Sequence, residues 1–141
     1  MAREPPFAVL DSNVYVRIWT DRAWAAVALE AMRPFIVRVS SVVLSELRRG
    51  ARTPAAVRRI EQLRSAATEV WTPDDDCWWR SAVVLADIGA RLGWDAAGKR
   101  ERQNDALIAL TARRHGAAVV TADRDFEPIA TAVPGLRVVR F

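Results

Sequence analysis

Short runs of β-type residues alternate with longer helical patterns along nearly the whole chain, and this alternation most constrains the fold. Five apolar runs predict strands, at Phe7–Leu10, Phe35–Val39, Glu69–Trp71, Ala118–Thr121 and Arg137–Arg140. Apolar residues at helical spacing predict helices over Arg22–Met32, Ser41–Gly50, Pro54–Ala66, Asp75–Leu92 and Asn104–His115, with a short helix near Phe126–Ala132. Such alternation favours right-handed crossovers and a parallel sheet. We therefore predict an α/β fold, a three-layer α/β/α sandwich around a mostly parallel five-stranded sheet.

The length of the chain and its glycines set the expected boundaries. A chain of 141 residues suits one domain, which we expect to span residues 1–141. Gly50, Gly93 and Gly116 stand where C-terminal helix caps are expected. The segment from Gly93 to Asn104 is predicted to be a surface loop.

Cysteine content, hydropathy and charge limit the class of protein that this chain can be. Cys77 is the only cysteine, so no internal disulfide can form, and no apolar run approaches the roughly 20 residues that span a membrane. We therefore expect a cytoplasmic protein without a membrane span. The formal net charge is +4, and Lys99 is the only lysine among 21 basic residues. This arginine excess permits an RNA, DNA or acidic protein partner, but a GC-biased genome would produce it equally well.

Four acidic residues are predicted to converge on one edge of the sheet. Asp11 follows the first strand in FAVLDSNVYV, and Asp123 follows the fourth strand in VVTADRDF. Glu46 lies early in the helix SSVVLSELRRG, and Asp105 lies at the start of the helix QNDALIALTARRHG. In open α/β sheets, ligands bind beyond the carboxyl ends of the strands. We therefore expect these acids to line a single cleft.

Two of these acids lie on helix faces that should be apolar. Glu46 shares a face with Val43 and Leu47, which places a carboxylate on the side directed at the sheet. Asp105 begins the buried stripe that continues at Ile108. Inward-facing carboxylates are uncommon and point to a function.

Each acid also has an ordinary structural explanation. Asp11 and Asp105 could serve as helix N-caps, and Glu46 could pair with a nearby arginine. Asp125 is a good N-cap for the last short helix, which leaves Asp123 free of that role. Taken together, four carboxylates at one edge would raise one another's pKa values unless cations neutralise them.

Divalent cations resolve this electrostatic conflict. Mg²⁺ and Mn²⁺ prefer oxygen ligands and keep several waters, so carboxylates and a substrate phosphate suit them. A pair of such ions roughly 4 Å apart can clamp the attacking and leaving oxygens of a phosphodiester. The acids therefore predict a binding site for divalent metal at the carboxyl edge of the sheet.

The sequence resembles the PIN-domain nucleases, and within them the VapC-type toxins of bacterial toxin–antitoxin pairs. Four segments, in order along nearly the whole chain, carry the resemblance: VLDSNV, SSVVLSELRRG, NDALIALTARRHGAAVVT and TADRDF. The resemblance implies a five-stranded parallel sheet and Mg²⁺- or Mn²⁺-dependent cleavage of RNA, leaving a 5′-phosphate and a 3′-hydroxyl. It also implies inhibition by a cognate antitoxin protein and assembly as a homodimer.

The resemblance assigns roles to particular residues. The family's acidic quartet matches Asp11, Glu46, Asp105 and Asp123, and its supporting polar positions match Asn13, Ser40 and Thr121. Asp11 and Asp105 are expected to be the principal metal ligands. Whether Asp123 or Asp125 is the fourth acid stays open, although the capping argument favours Asp123.

Other features suggest contacts outside the acidic quartet. Lys99, Arg100 and Arg102 precede Asp105 and could hold an RNA backbone, or form only a solvated loop. Trp78 and Trp79 are expected to be core or packing residues rather than platforms on which bases stack. The combined hypothesis is a metal-dependent endoribonuclease, and the alternative is a non-catalytic RNA- or protein-binding module on the same fold.

Overall fold

The computed structural model describes residues 6–141, so residues 1–5 of the predicted domain lie outside the described part. The strands are β1 (Phe7–Leu10), β2 (Ile36–Ser40), β3 (Val70–Trp71), β4 (Ala118–Thr121) and β5 (Val138–Arg140). The helices are α1 (Ser12–Thr20), α2 (Arg22–Met32), α3 (Ser41–Gly50), α4 (Pro54–Ala66), α5 (Asp75–Leu92), α6 (Ala96–Glu101), α7 (Gln103–Arg114) and α8 (Glu127–Ala132). A 3₁₀ turn covers Arg124–Phe126. None of the helices described is long and apolar enough to cross a membrane.

The sheet is parallel throughout, which confirms the predicted α/β architecture. Its strand order is β3-β2-β1-β4-β5, and every neighbouring pair of strands is parallel. Strand β1 lies in the centre, and its last residue, Leu10, pairs with Val120 of β4. The residues that follow these two strands therefore emerge side by side at the carboxyl edge.

Helix α7 is the buried helix of the molecule. All seven residues from Ala106 to Ala112 are buried, because α7 packs against α3, α5, α8 and the two central strands. The buried surface of α7 is therefore wider than the single apolar stripe that the sequence predicts. Each fully buried Ile or Leu contributes about 1.5–3 kcal/mol to the stability of the fold. This packing fixes the first turn of α7, and with it Asp105, at the edge of the sheet.

Two of the three predicted glycine caps are confirmed. Gly93 ends α5 with a φ of 74°, and Gly116 follows α7 with a φ of 65°, both in the left-handed region that favours glycine. The cap predicted at Gly50 is wrong, because Gly50 is the last residue of α3 and the chain leaves the helix through an extended Ala51.

The segment predicted as a loop between Gly93 and Asn104 contains helix α6. Its N-cap is Asp95, whose Oδ1 accepts a hydrogen bond of 2.8 Å from the Gly98 backbone N–H. A capping aspartate followed by two alanines is sufficient to start a short helix. The prediction of a loop is wrong because it gave more weight to Gly98 and the charged residues than to the N-cap Asp95.

Trp78 and Trp79 are not core residues, so this part of the expectation is wrong. Their side chains are 52% and 73% exposed. The buried side of α5 carries Cys77, Leu85 and Ile88, and the helical period places both tryptophans away from that side.

Candidate active site

A polar cleft of about 320 Å³ lies at the carboxyl edge of the sheet, where β1 and β4 end. It is lined by Asp11, Ser12, Asn13, Glu46, Glu101, Arg102, Asp105, Asp123 and Asp125. All four predicted acids therefore meet in one cleft. A larger cavity of about 900 Å³ lies between α5, α7 and α8. Several of its charges are already paired, Asp74 with Arg114 and Asp76 with Arg80, so it offers less for chemistry.

Asp11 combines the two roles that the sequence left as alternatives. It is the N-cap of α1, and its Oδ1 accepts a hydrogen bond of 2.8 Å from the Ser12 backbone N–H. Its Oδ2 accepts a hydrogen bond of 3.1 Å from the Thr121 hydroxyl, and the residue lines the cleft. The residue is 5% exposed, and burial raises the pKa of its carboxyl, with the nearby Asp123 charge adding to the rise. Capping therefore orients the carboxylate without using up both of its oxygens.

The supporting residues Asn13 and Thr121 join the ends of β1 and β4. Asn13 Oδ1 accepts a hydrogen bond of 3.1 Å from the Ala122 backbone N–H. Its Nδ2 donates longer bonds of 3.4 Å to Asp11 Oδ2 and to Thr121 Oγ1. Thr121 Oγ1 in turn accepts a hydrogen bond of 3.1 Å from the Asp123 backbone N–H. These bonds fix the positions of both strand-end acids relative to each other.

The capping argument that separated Asp123 from Asp125 is wrong. Asp123, not Asp125, caps the 3₁₀ turn, since its Oδ1 accepts a hydrogen bond of 2.9 Å from the Asp125 backbone N–H. Both residues are exposed and both line the cleft. The charge of Asp123 raises the pKa of both Asp11 and Asp105, which places Asp123 closer to the centre of the acidic group.

Glu46 lies in the second turn of α3 and points into the cleft. The Ser40 hydroxyl positions this helix, since it accepts hydrogen bonds of 3.2 and 3.4 Å from the backbone N–H groups of Val42 and Val43. Burial raises the pKa of the Glu46 carboxyl and the Asp11 charge raises it further, against smaller lowering effects of the Asn104 side chain and the Arg49 charge. Its Oε1 is buried and has no hydrogen-bond partner in the described part of the chain. An orphaned carboxylate oxygen is costly to bury and indicates a missing ligand.

Asp105 lies in the first turn of α7, and neither it nor Asn104 caps that helix, whose N-cap is Arg102. Burial, followed by the charges of Asp11, Glu46 and Asp123, raises the pKa of Asp105 to about 7. A carboxylate in the first turn interacts favourably with the helix dipole, but burial and the neighbouring acids make its ionised form unfavourable here without a cation. The side chains of the cleft therefore leave its negative charge uncompensated when no cation is bound.

These observations fit a hydrated divalent cation. Within residues 6–141, no three carboxylate, imidazole or thiol groups lie close enough to enclose a metal ion by themselves. The acids instead surround an open cleft, with one orphaned oxygen on Glu46. Mg²⁺ suits this arrangement, because it keeps several waters and takes only one or two protein carboxylates. The structure therefore favours a metal bound partly through water over a closed cage.

The three basic residues before Asp105 occupy different environments. Lys99 packs its side-chain stem against Gly89, where a Cβ would lie 2.6 Å from Lys99 Cε, so it serves to pack α6 against α5. Arg100 is exposed, whereas Arg102 lines the cleft. The cleft also contains Glu101, which the sequence analysis did not single out and for which the sequence carries no signal.

The family assignment follows from comparison with known proteins. The model of the family described as "PIN domain" matches residues 8–132. The chain belongs to the PIN-domain family. Ribonuclease VapC5 of Mycobacterium tuberculosis (strain ATCC 25618 / H37Rv) is 32% identical over 98% of this chain and 100% of that protein. This PIN-domain protein therefore resembles a VapC-type ribonuclease over nearly its whole length.

Solved structures show the same fold. VapBC-5 from Mycobacterium tuberculosis, a member of the VapBC family of toxin–antitoxin systems, has a TM-score of 0.62 at 30% identity, covering 96% of this chain and 100% of that chain. VapBC from Salmonella typhimurium, solved bound to DNA, has a TM-score of 0.57 at 25% identity, covering 96% and 98%. VapBC2 from Rickettsia felis has a TM-score of 0.66 at 20% identity, covering 96% and 98%, and supports the fold alone.

Proposed function

We propose that this PIN-domain protein is a metal-dependent endoribonuclease, the toxin of a toxin–antitoxin pair. The observation that carries the proposal is the convergence of Asp11, Glu46, Asp105 and Asp123 on one cleft, with an orphaned oxygen on Glu46. The similarity to Ribonuclease VapC5 supports RNA as the substrate. The fold alone would not distinguish a nuclease from a binding module, because function resides in the site.

The residues of the cleft divide the work of phosphodiester hydrolysis. Asp11 and Asp105 would hold Mg²⁺ or Mn²⁺, which when bound supplies charge stabilisation and a water of lowered pKa. The free Oε1 of Glu46 would accept a hydrogen bond from the attacking water and orient it towards phosphorus. Asp123 would hold a further water or a second cation. As the new P–O bond forms, the bond to the 3′-oxygen breaks, which leaves a 5′-phosphate and a 3′-hydroxyl.

Metal removal tests this proposal. The purified protein is incubated with a pool of structured RNAs in EDTA, and then after replacement of EDTA by Mg²⁺ or Mn²⁺. Cleavage only with the metal, with 5′-phosphate ends, is expected. Folded protein that binds the RNA but leaves it intact under every condition would contradict the nuclease and favour a non-catalytic binding module.

The proposed protein partner is an antitoxin that lies in an apolar groove beside the cleft. The groove has a volume of about 570 Å³, and its lining includes Tyr15, Ile18, Trp19, Leu29, Met32 and Leu63. An adjoining cavity shares Trp19 with it and reaches Asn13 and Glu46 of the acidic cleft. A partner segment that continues from this groove into the adjoining cavity would reach the acids. The similarity to VapBC-5 of Mycobacterium tuberculosis, a member of a family of toxin–antitoxin systems, supports this kind of partner.

A charged substitution in the groove tests this interaction. Leu29 is 52% exposed and lies outside the acidic cleft, so Leu29→Glu should leave cleavage by the isolated protein unchanged. The same variant should resist inhibition by the antitoxin protein, since a charged side chain would replace an apolar one in the buried contact. Inhibition of the variant as strong as that of the wild type would contradict the proposed groove.

A second copy of the chain is the proposed partner for the exposed face of α5. Trp79 stands at one end of this face, and Val83, Ala86 and Ala90 continue it along the helix. In an antiparallel, isologous pair, Trp79 of one copy would lie over the small alanines of the other. Light scattering should show a dimer for the wild type and a shift towards monomer for Trp79→Ser. An unchanged dimer in that variant would contradict this face.

A further inference from the structure

Arg102 brings an unpaired positive charge into the acidic cleft. Its side chain lines the cleft together with the acids, and its charge lowers the pKa of Asp105 against the larger effects that raise it. None of the ion pairs within 4.0 Å in residues 6–141 involves Arg102. A guanidinium so close to several carboxylates would ordinarily form an ion pair with one of them.

Two contacts explain why Arg102 does not pair. Its Cζ lies 4.4 Å from the centre of the Trp94 ring, in a cation–π arrangement. Its Nη1 donates a hydrogen bond of 3.5 Å to the Asp125 backbone carbonyl. Trp94 is itself anchored, since its backbone N–H donates a hydrogen bond of 3.0 Å to the Gly89 carbonyl of α5. The guanidinium is therefore held at the wall of the cleft and away from the carboxylates.

If Arg102 served only to neutralise the acids, its guanidinium would be expected to form an ion pair with one of them. Arg102 directly precedes α7 and lies three residues before Asp105, a spacing at which side chains on a helix can meet. Stacking on Trp94 instead holds the guanidinium apart, and its Nε has no hydrogen-bond partner within residues 6–141. Guanidinium donors form bidentate contacts with phosphate, and stacking on an aromatic ring orients them in advance.

We infer that Arg102 contacts a phosphate of the RNA at or next to the cleaved bond, and that Trp94 is the positioning residue that holds its guanidinium there. This inference rests on the proposed function and names two residues through which the same cleft recognises its substrate. The acids bind the cation, and Arg102 supplies the one positive side chain that lines the cleft within the described residues.

Four variants test the inference. Arg102→Gln removes the charge, and Arg102→Lys keeps the charge but loses the planar fork. Trp94→Leu removes the aromatic ring, and Trp94→Phe retains a ring that can hold the cation. Arg64→Gln is the matched control, because Arg64 is exposed on α4 and lies outside the cleft lining. Circular dichroism and thermal unfolding establish that each variant is folded before cleavage and RNA binding are measured.

Cleavage rates give the first outcome. Arg102→Gln should lower kcat/KM about 10²–10³-fold, the usual effect of removing one preorganised donor from a reacting oxyanion. Trp94→Leu should lower kcat/KM about tenfold, in line with the strength of a partly desolvated cation–π contact. Trp94→Phe and Arg64→Gln should stay close to wild type. Trp94→Leu should cost little in the Arg102→Gln background, because the ring then has no guanidinium to position.

RNA binding separates this inference from the proposed function. A labelled single-stranded RNA is titrated onto the Asp11→Asn protein, with and without Arg102→Gln, over a range of salt concentrations. Loss of one phosphate contact should reduce the slope of log affinity against log salt by about 0.7. An unchanged slope, wild-type cleavage by Arg102→Gln, or an equal cost of Trp94→Leu in both backgrounds would overturn the inference while leaving the nuclease intact. Absence of metal-dependent cleavage by the wild type would instead contradict the proposed function.

Discussion

The Thr121 hydroxyl donates a hydrogen bond of 3.1 Å to Asp11 Oδ2 and accepts another of 3.1 Å from the Asp123 backbone N–H. One buried oxygen thus connects the acids that follow β1 and β4. Thr121 is fully buried, so its hydroxyl has no water to replace either partner. The geometry of the cleft therefore depends on a side chain that need not touch the metal.

Thr121→Val tests this connection. Valine has a similar shape but cannot donate to Asp11 or accept from the Asp123 N–H, which would then lack a partner. We expect metal affinity or cleavage to fall about 10–100-fold, as for other residues that orient metal ligands, and stability to fall by about 1–3 kcal/mol. Isothermal titration with Mn²⁺ and urea unfolding measure the two effects. Thr121→Ser keeps the hydroxyl and should retain both; equal losses in the two variants would indicate a packing role only.

Asp105 should make the metal-free protein less stable as the pH rises. Its pKa in the folded state is about 7, above the unfolded value, so the folded state binds the proton more tightly. Its contribution to stability is therefore complete at low pH and is lost as the pH rises from about 4 to about 7. Asp105→Asn removes this loss.

Thermal unfolding in EDTA across this pH range measures the effect. The Tm of Asp105→Asn should exceed that of the wild type near pH 7.5, and the difference should shrink towards pH 4. The matched control is Asp75→Asn, which replaces an exposed aspartate outside the cleft. A difference in Tm that stays constant with pH would show that the folded state does not raise the pKa of Asp105.

Divalent metal should stabilise the wild type, and more strongly at high pH. A ligand at a concentration 100 times its Kd stabilises the folded state by about 2.7 kcal/mol. Protons compete for the same carboxylates, so the rise in Tm caused by Mn²⁺ should be larger at pH 8 than at pH 5. Asp11→Asn should show little of this rise at either pH. A rise of equal size in Asp11→Asn would place the binding of the metal elsewhere.

The sequence was sufficient to predict the sheet and the convergence of the acids. In a parallel sheet the ends of the strands determine the position of the site, so Asp11 and Asp123 could be placed from two short apolar runs. Glu46 could be placed because it breaks the apolar face of a helix. The sequence could not decide which of Asp123 and Asp125 is the N-cap, because the two residues share a turn in which either side chain can accept a hydrogen bond from a backbone N–H.

Contacts between distant segments account for the remaining differences. Whether Trp79 is buried depends on which side of α5 faces α7, and its apolar character does not decide this. The stacking of Arg102 on Trp94 depends on helix α6, which brings the two residues together. This helix was not predicted, because the basic composition of the segment favoured a loop. Sequence patterns predict the buried faces of helices and the ends of strands. Contacts such as that between Arg102 and Trp94 depend on how distant segments pack together.

Cleavage of RNA by the wild type and by Asp11→Asn, side by side in Mg²⁺ or Mn²⁺, is the most direct measurement. Asp75→Asn serves as the matched control, because it makes the same chemical change outside the cleft. We expect metal-dependent cleavage by the wild type and the control, and none by Asp11→Asn, with all three proteins folded. Cleavage by folded Asp11→Asn at the wild-type rate would contradict the assignment of the acidic cleft as the active site.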